Sequence, residues 1–299
     1  MKTDQKTPTD ILPELGKILG LKLFFKREDL HPLGSHKGRS IPVMIDYYAK
    51  KGARKFAISS SGNAALAAGI YIQSLNKKIL DMEKKLSLTI FVGEHVNKEK
   101  NENLKEKLAD EEIKLVKTAR PLQELFRAEK EGKTSLRQST DDTALLGYAE
   151  LAEELSTVPN LSAIFLAASS GTSTQALAEY FEKRGIGPVQ IFLVQTAKIH
   201  TMAKIFDKNF IEEKESLADA IVDIVGHRKE KVAEAVKTSG GFGWVVSNQE
   251  IEEAVKIIKE NTDIKDITAN GSLSFAGLLK ALKYGFKPTG AAVCVIGGK

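Results

Sequence analysis

Three short stretches combine residue types suited to chemistry. The first, KREDLHPLGSHKGR, begins at Lys26, turns at Pro-Leu-Gly and then sets Ser35, His36, Lys37 and Arg39 close together. A surface turn needs glycine and polar side chains. It does not need histidine, lysine and arginine in close succession. Such a loop is either solvated, or it holds something negative and uses a lysine amine for a reaction. The second stretch, SSSGN, places Ser60, Ser61 and Gly62 before Asn63. The third, SSGTS, contains Ser169, Ser170, Gly171, Thr172 and Ser173. Hydroxyls and exposed backbone N–H groups suit carboxylates and phosphates. Singly, each stretch reads as a turn or a helix cap, and Lys37 as one surface lysine among many.

The elements around them change that reading. LKLFF, KFAIS, LTIFV, IKLVK, AIFLA, QIFLV and AAVCVI are apolar runs rich in β-branched and aromatic residues, and they predict buried strands. GRSIPVMIDYYAKKG, NAALAAGIYIQSLNKK, STQALAEYFEKRG, EIEEAVKIIKENT and FAGLLKALKYG predict helices between them. Alternating strand and helix predicts parallel sheets covered on both faces. The three polar stretches follow Phe25, Ile58 and Leu166, each between a predicted strand and a helix. Ligands of open α/β sheets bind beyond the carboxyl ends of strands, where the next helix offers backbone N–H groups to an anion.

In this order the stretches resemble loops of the fold type II pyridoxal-phosphate enzymes, which include threonine synthase, threonine and serine dehydratases, cysteine synthase and the tryptophan synthase β chain. KRED followed by PLGSHKGR is similar to the family's lysine loop. SSGN is similar to its substrate loop, and SSGTS stands in the place of its phosphate cup. SGGFGWVVSNQEIEEAVKII resembles a late β-α unit of the threonine synthases and dehydratases, and the similarity runs from about Leu12 to the last residue. GSHK is also similar to the tryptophan synthase β chain, but Ser-Ser-Ser-Gly-Asn stands where that enzyme carries a catalytic glutamate segment.

The resemblance implies a two-lobed α/β fold of three-layer, parallel-sheet domains with a cofactor cleft between them. Residues 1–40 with 150–299 would form the large cofactor-binding domain, and residues 41–149 a smaller mobile one. Lys37 would carry pyridoxal 5'-phosphate as a Schiff base, flanked by His36, and would serve as the catalytic base. Neighbouring cations and burial favour its neutral amine. Asn63 would meet the ring oxygen. Ser60, Ser61, Gly62 and Asn63 would bind the substrate carboxylate. Ser169, Ser170, Gly171, Thr172 and Ser173 would hold the phosphate, and Ile296 or Gly297 would face the ring nitrogen. The implied activity is a lyase-type elimination or replacement on a small hydroxy or phospho-hydroxy amino acid, by a cytoplasmic homodimer. The alternatives are β-replacement, as in cysteine synthase, and cofactor binding without efficient turnover. Two departures motivate the last: the cup keeps only Gly171 where the family has several glycines, and VIGG ends a strand that usually closes on Ser, Thr or Cys.

Bulk properties narrow the field further. At 299 residues, 42% hydrophobic and 28% charged, the chain can build a sizeable core and two domains or lobes. Its net charge of +5 comes from lysines interleaved with glutamates, as in NQEIEEAVKIIKE, a pattern of solvated helix faces with no nucleic-acid stripe. One cysteine, Cys294, excludes an internal disulfide, and the five histidines lack metal-ligand spacing. MKTDQKTPTD has no apolar signal core, and no run approaches the ~20 residues that span a bilayer. His31 reads as a loop residue, and Asp141, Asp142 and Tyr148 as helix capping and packing. His227 and Arg228 read as a solvated helix start, and Trp244 as core.

Overall fold

The computed structural model describes residues 6–94 and 98–298. The chain divides into two compact units, Met1–His31 with Tyr148–Lys299, and Pro32–Gly147. Lys37, which the sequence reading counts with the larger unit, therefore lies in the smaller one.

In chain order, the first unit opens with β1 (Thr9–Ile11), α1 (Pro13–Leu19) and β2 (Lys22–Arg27). The second unit contains α2 (Lys37–Lys50), β3 (Lys55–Ser59), α3 (Asn63–Asn76), β4 (Ser87–Gly93), α4 (Lys98–Lys107), β5 (Ile113–Thr118), α5 (Pro121–Lys130), β6 (Thr134–Ser135) and α6 (Thr143–Leu146). The first unit resumes with α7 (Ala149–Ser156), β7 (Leu161–Ala167), α8 (Thr172–Arg184), β8 (Gln190–Thr196) and α9 (Lys229–Thr238). It finishes with β9 (Gly243–Val246), α10 (Asn248–Asn261), α11 (Ala269–Lys283) and β10 (Ala291–Ile296).

The first unit is a six-stranded sheet of order β1-β2-β10-β7-β8-β9. All its pairs are parallel except β1 with β2. Alternation along the strands sets one face: Phe165, Phe192, Val194, Cys294 and Ile296 bury against Leu273, Phe275 and Leu278 of α11. Phe165 stacks on Phe192 at 4.3 Å, and Phe275 meets Phe25 edge-on at 5.4 Å. Ser247 starts α10 with a capping box, its hydroxyl accepting from the Glu250 N–H while the Glu250 carboxylate accepts from the Ser247 N–H.

The second unit is a parallel four-stranded sheet, β5-β4-β3-β6. Ile41, Met44 and Ile45 of α2 and Ala65, Ala68 and Ile72 of α3 cover one face, over Phe56, Ile58, Leu88 and Ile90. Ala57 and Phe91 meet Leu125 and Ala128 of α5 on the other. Both units are thus the layered α/β architecture with parallel sheets that the alternating pattern implies. Parallel order puts the ends of β2, β3 and β7, and so all three polar stretches, at carboxyl edges.

Candidate active site

The KRED residues act as anchors. Lys26 is almost fully buried, and its ammonium reaches the Thr7 carbonyl at 2.6 Å, the Thr9 hydroxyl at 3.2 Å and the Glu154 carboxylate. Arg27 forks onto Asp29 at 2.9 and 2.8 Å and reaches Asp10 at 3.3 Å. The hydrogen bond to Asp29 above all raises the Arg27 pKa, against the cost of its burial. Glu28 accepts from the Thr7 hydroxyl at 2.5 Å. His31 is a loop residue as read from sequence, but a buried one.

Beyond them Gly34 turns the chain at φ 87°, a left-handed conformation that favours glycine. A Cβ there would sit 3.2 Å from Leu66 Cδ2, so the lysine loop lies against the first turn of α3. Ser35 is fully buried, and its hydroxyl accepts the Lys37 N–H at 3.2 Å while its carbonyl accepts the Gly38 N–H at 2.9 Å. Lys37 is half-buried at the first position of α2, directly after His36, and Arg39 and Ser40 behind it are buried. Ser40 accepts from the Gln138 amide.

The second stretch forms the other part of this edge. Ser60 accepts the Gly62 N–H at 3.3 Å, and Asn63 begins α3. Ser60, Ser61, Gly62 and Asn63 are all half-buried. The structure therefore brings the Lys37 and Asn63 loops side by side within the second unit.

The third stretch belongs to the first unit. Gly171 is the cap of α8 at φ 74°, and a Cβ there would fall 2.7 Å from Val232 Cγ2 and 2.8 Å from Met202 Sδ. No side chain fits. The Ser170 and Thr172 hydroxyls share a hydrogen bond of 2.8 Å. Ser169 Oγ accepts two backbone N–H groups, from Val222 at 3.1 Å and Asp223 at 3.2 Å. With both lone pairs engaged, its O–H is left to donate. Thr172 and Ser173 are buried in the first turn, and Thr174 Oγ1 is buried without a hydrogen-bond partner. Donors of this kind at the start of a 13-residue helix suit a phosphate. Register pairs Val295 with Leu166, so Ile296 and Gly297 emerge beside this loop. Ile296 is fully buried on the α11 face, its Cγ2 3.3 Å from where a Gly271 Cβ would stand.

Several supporting residues carry no sequence signal. Gln195, in the apolar run FLVQT, donates to the Ala168 carbonyl at 3.0 Å and accepts from the Met202 and Ala203 N–H groups at 2.8 and 2.9 Å. It pins the base of the third loop and seats Met202 against Gly171. Arg228 departs from the solvated helix start read from sequence: it is 3% exposed and donates to Gln175 Oε1 at 3.0 Å, while neighbouring His227 is exposed. A chain bend carries Arg228 inward, which no local pattern announces. Trp244 is half-buried and packs against the core of the larger unit, beside Phe242 and Tyr284. Asp141 accepts the Thr143 N–H at 2.8 Å, as its capping role requires, and also the Tyr48 hydroxyl at 2.8 Å. Burial pushes the Cys294 thiol up in pKa, which marks it as core and not as a nucleophile. Among the described residues no cluster of side chains could hold a metal ion, and no helix is long and apolar enough to cross a membrane.

Parallel sheets, anion-suited helix starts and a lysine at the head of a helix define a class, the α/β proteins that bind a phosphorylated ligand at strand ends. The chain belongs to the pyridoxal-phosphate dependent enzyme family, whose model matches residues 2–298. Pyridoxal 5'-phosphate is the cofactor of that family. The chain is 27% identical to a threonine synthase of Halalkalibacterium halodurans over 98% of its length and 81% of the relative's. It is 26% identical to a human L-serine dehydratase/L-threonine deaminase over 66% of its length and 58% of the relative's. Its fold matches the processed form of threonine deaminase isoform 2 from Solanum lycopersicum with a TM-score of 0.80 at 19% identity, covering 98% of this chain and 79% of that one.

Proposed function

We propose that this enzyme catalyses elimination or replacement on a small hydroxy or phospho-hydroxy amino acid, as a lyase of threonine synthase or threonine/serine dehydratase type. The observation that carries the reading is Lys37 at the head of α2, beside the serine and asparagine loop that opens α3. When bound, the cofactor supplies a conjugated ring that takes up electrons from the substrate's α-carbon. The protein supplies the rest.

Lys37 Nζ would hold the cofactor and, as a free amine, would accept the proton from the substrate's α-carbon. The start of α3, with Ser60, Ser61 and Gly62, receives the substrate carboxylate, and Asn63 donates its amide to the ring oxygen. Ser169, Ser170, Gly171, Thr172 and Ser173 hold the phosphate, with His36 beside the lysine. In this reading the smaller unit supplies Lys37 and Asn63, and the larger unit supplies residues 169–173. A cytoplasmic homodimer completes the reading, and light scattering measures that state.

Borohydride reduction followed by peptide mapping tests the assignment. The pyridoxyl label is expected on Lys37 and absent from Lys37→Ala, and a label on another lysine overturns it. Assay of the wild type against L-threonine, L-serine, O-phosphohomoserine and O-acetylserine separates elimination from β-replacement. Inertness towards all four would favour the reading as a cofactor-binding protein without turnover, which the single glycine of the third loop also supports.

A further inference from the structure

Ile251, Ala254 and Ile258 fill the inner face of α10, while its outer face stays open. A groove of about 620 Å³ lies along that outer face, lined by the apolar Leu217, Val255 and Ile267 and by the charged Glu252, Lys256 and Lys259. Leu217 is exposed, yet the strap that carries it is tied down. The Leu217 N–H donates to Asn248 Oδ1 at 2.8 Å and the Ala220 N–H to Asn270 Oδ1 at 2.9 Å, which fixes the strap to the starts of α10 and α11. Exposed apolar side chains continue along it at Val222, Ile224 and Val225. Exposed apolar surface rimmed by charge marks a site of interaction.

The order of the charges selects the partner. Lys256 pairs with Glu260 at 3.9 Å within the helix, whereas Glu252 and Lys259 make no ion pair among the described residues. Those two stand seven residues apart, so they share a face and lie about 10 Å apart along the axis. A face with an acid at one end and a base at the other complements a copy of itself turned end for end. We propose that α10 packs antiparallel against α10 of a second copy, about a two-fold axis near Val255. Glu252 then meets the partner's Lys259, Lys259 meets the partner's Glu252, and Leu217 of each copy closes the apolar seam. The inference assigns a face to the homodimer of the proposed function and does not depend on the reaction catalysed.

Sedimentation velocity of the full-length protein tests it, with thermal melting alongside. The wild type is expected to be a dimer. Glu252→Lys sets like charges opposite each other at both ends of the paired helices, as does Lys259→Glu. Each should weaken association at least about tenfold. Combining the two substitutions in one chain restores opposite charges and should return association close to that of the wild type. A mixture is the sharpest case. One single variant carries lysine at both positions and the other glutamate at both, so the two should dimerise with each other although neither pairs with itself. Both positions are exposed, so melting temperatures should hardly move.

Single swaps that leave the dimer intact would place the two-fold elsewhere and leave the groove to another occupant, which overturns the inference. A mixture of the two variants that stays unpaired overturns it as well. If a charge swap does not fold, Leu217→Asp probes the seam instead: dissociation supports the inference and an unchanged dimer defeats it. A monomeric wild type would remove the homodimer itself, while the amino-acid assays of the proposed function would stand unaffected.

Discussion

At the scale of single residues, the end of β10 is where this chain departs furthest from the pattern it resembles. Neither Ile296 nor Gly297 has a side chain able to donate or accept a hydrogen bond, and Ile296 is committed to the apolar face with Gly271. We predict that the bound cofactor's ring nitrogen stays unprotonated at neutral pH. Nitrogen NMR of the holoenzyme with labelled cofactor reads this directly, and the shift of a protonated pyridine near pH 7 would contradict it. What was legible at this scale is position: Lys37, Asn63 and Gly171, the candidates the sequence offers, each stand at the start of a helix. Support that comes from a distant segment was not legible. Gln195 looks like an accident in an apolar strand, and Arg228 like a solvated helix start, because their partners lie beyond any local pattern.

Among the elements, α2 and α3 are joined by more than their apolar faces. The Tyr71 hydroxyl donates to Asp46 at 2.8 Å, and burial first, then this hydrogen bond, raises the tyrosine pKa well above its usual value. The folded state thus holds the phenolic proton more tightly than the unfolded chain. The resulting stability is fully present below about pH 10, the ordinary tyrosine value, and is lost as pH rises through the folded-state pKa. Tyr71→Phe should cost about 1–2 kcal/mol at pH 8 and should flatten the decline of the urea midpoint above pH 10. A variant that declines as steeply as the parent would remove Tyr71 from this role. The longer elements were legible because their periodicity is sustained: the seven predicted strands and the helices of the site are all present. β1 and β6 were not, since strands of three and two residues hold no period. The short α6 and the 3-10 turns are likewise set by tertiary contact and not by local preference.

For the molecule as a whole, the order of the strands decides what can fold alone. The second unit is one continuous segment, Pro32–Gly147, with its own sheet and core, whereas the first is assembled from two separated segments. β10, last in sequence, lies in the middle of the larger sheet between β2 and β7. A chain ending at Gly290 should therefore lose the first unit, yet yield a protease-resistant fragment close to residues 32–147. A fragment covering the first unit instead would refute this. During synthesis, the smaller unit is complete before the second segment of the larger one, from Tyr148 onward, is made. β2 must wait beside an empty place until β10 has been made. The lysine proposed to carry the chemistry is thus mounted on a unit that can be finished early, while the sheet behind the proposed phosphate loop closes only with β10. On the ribosome, acquisition of the cofactor would then be a late event, and a nascent chain stalled before β10 would be folded in part but unable to retain it.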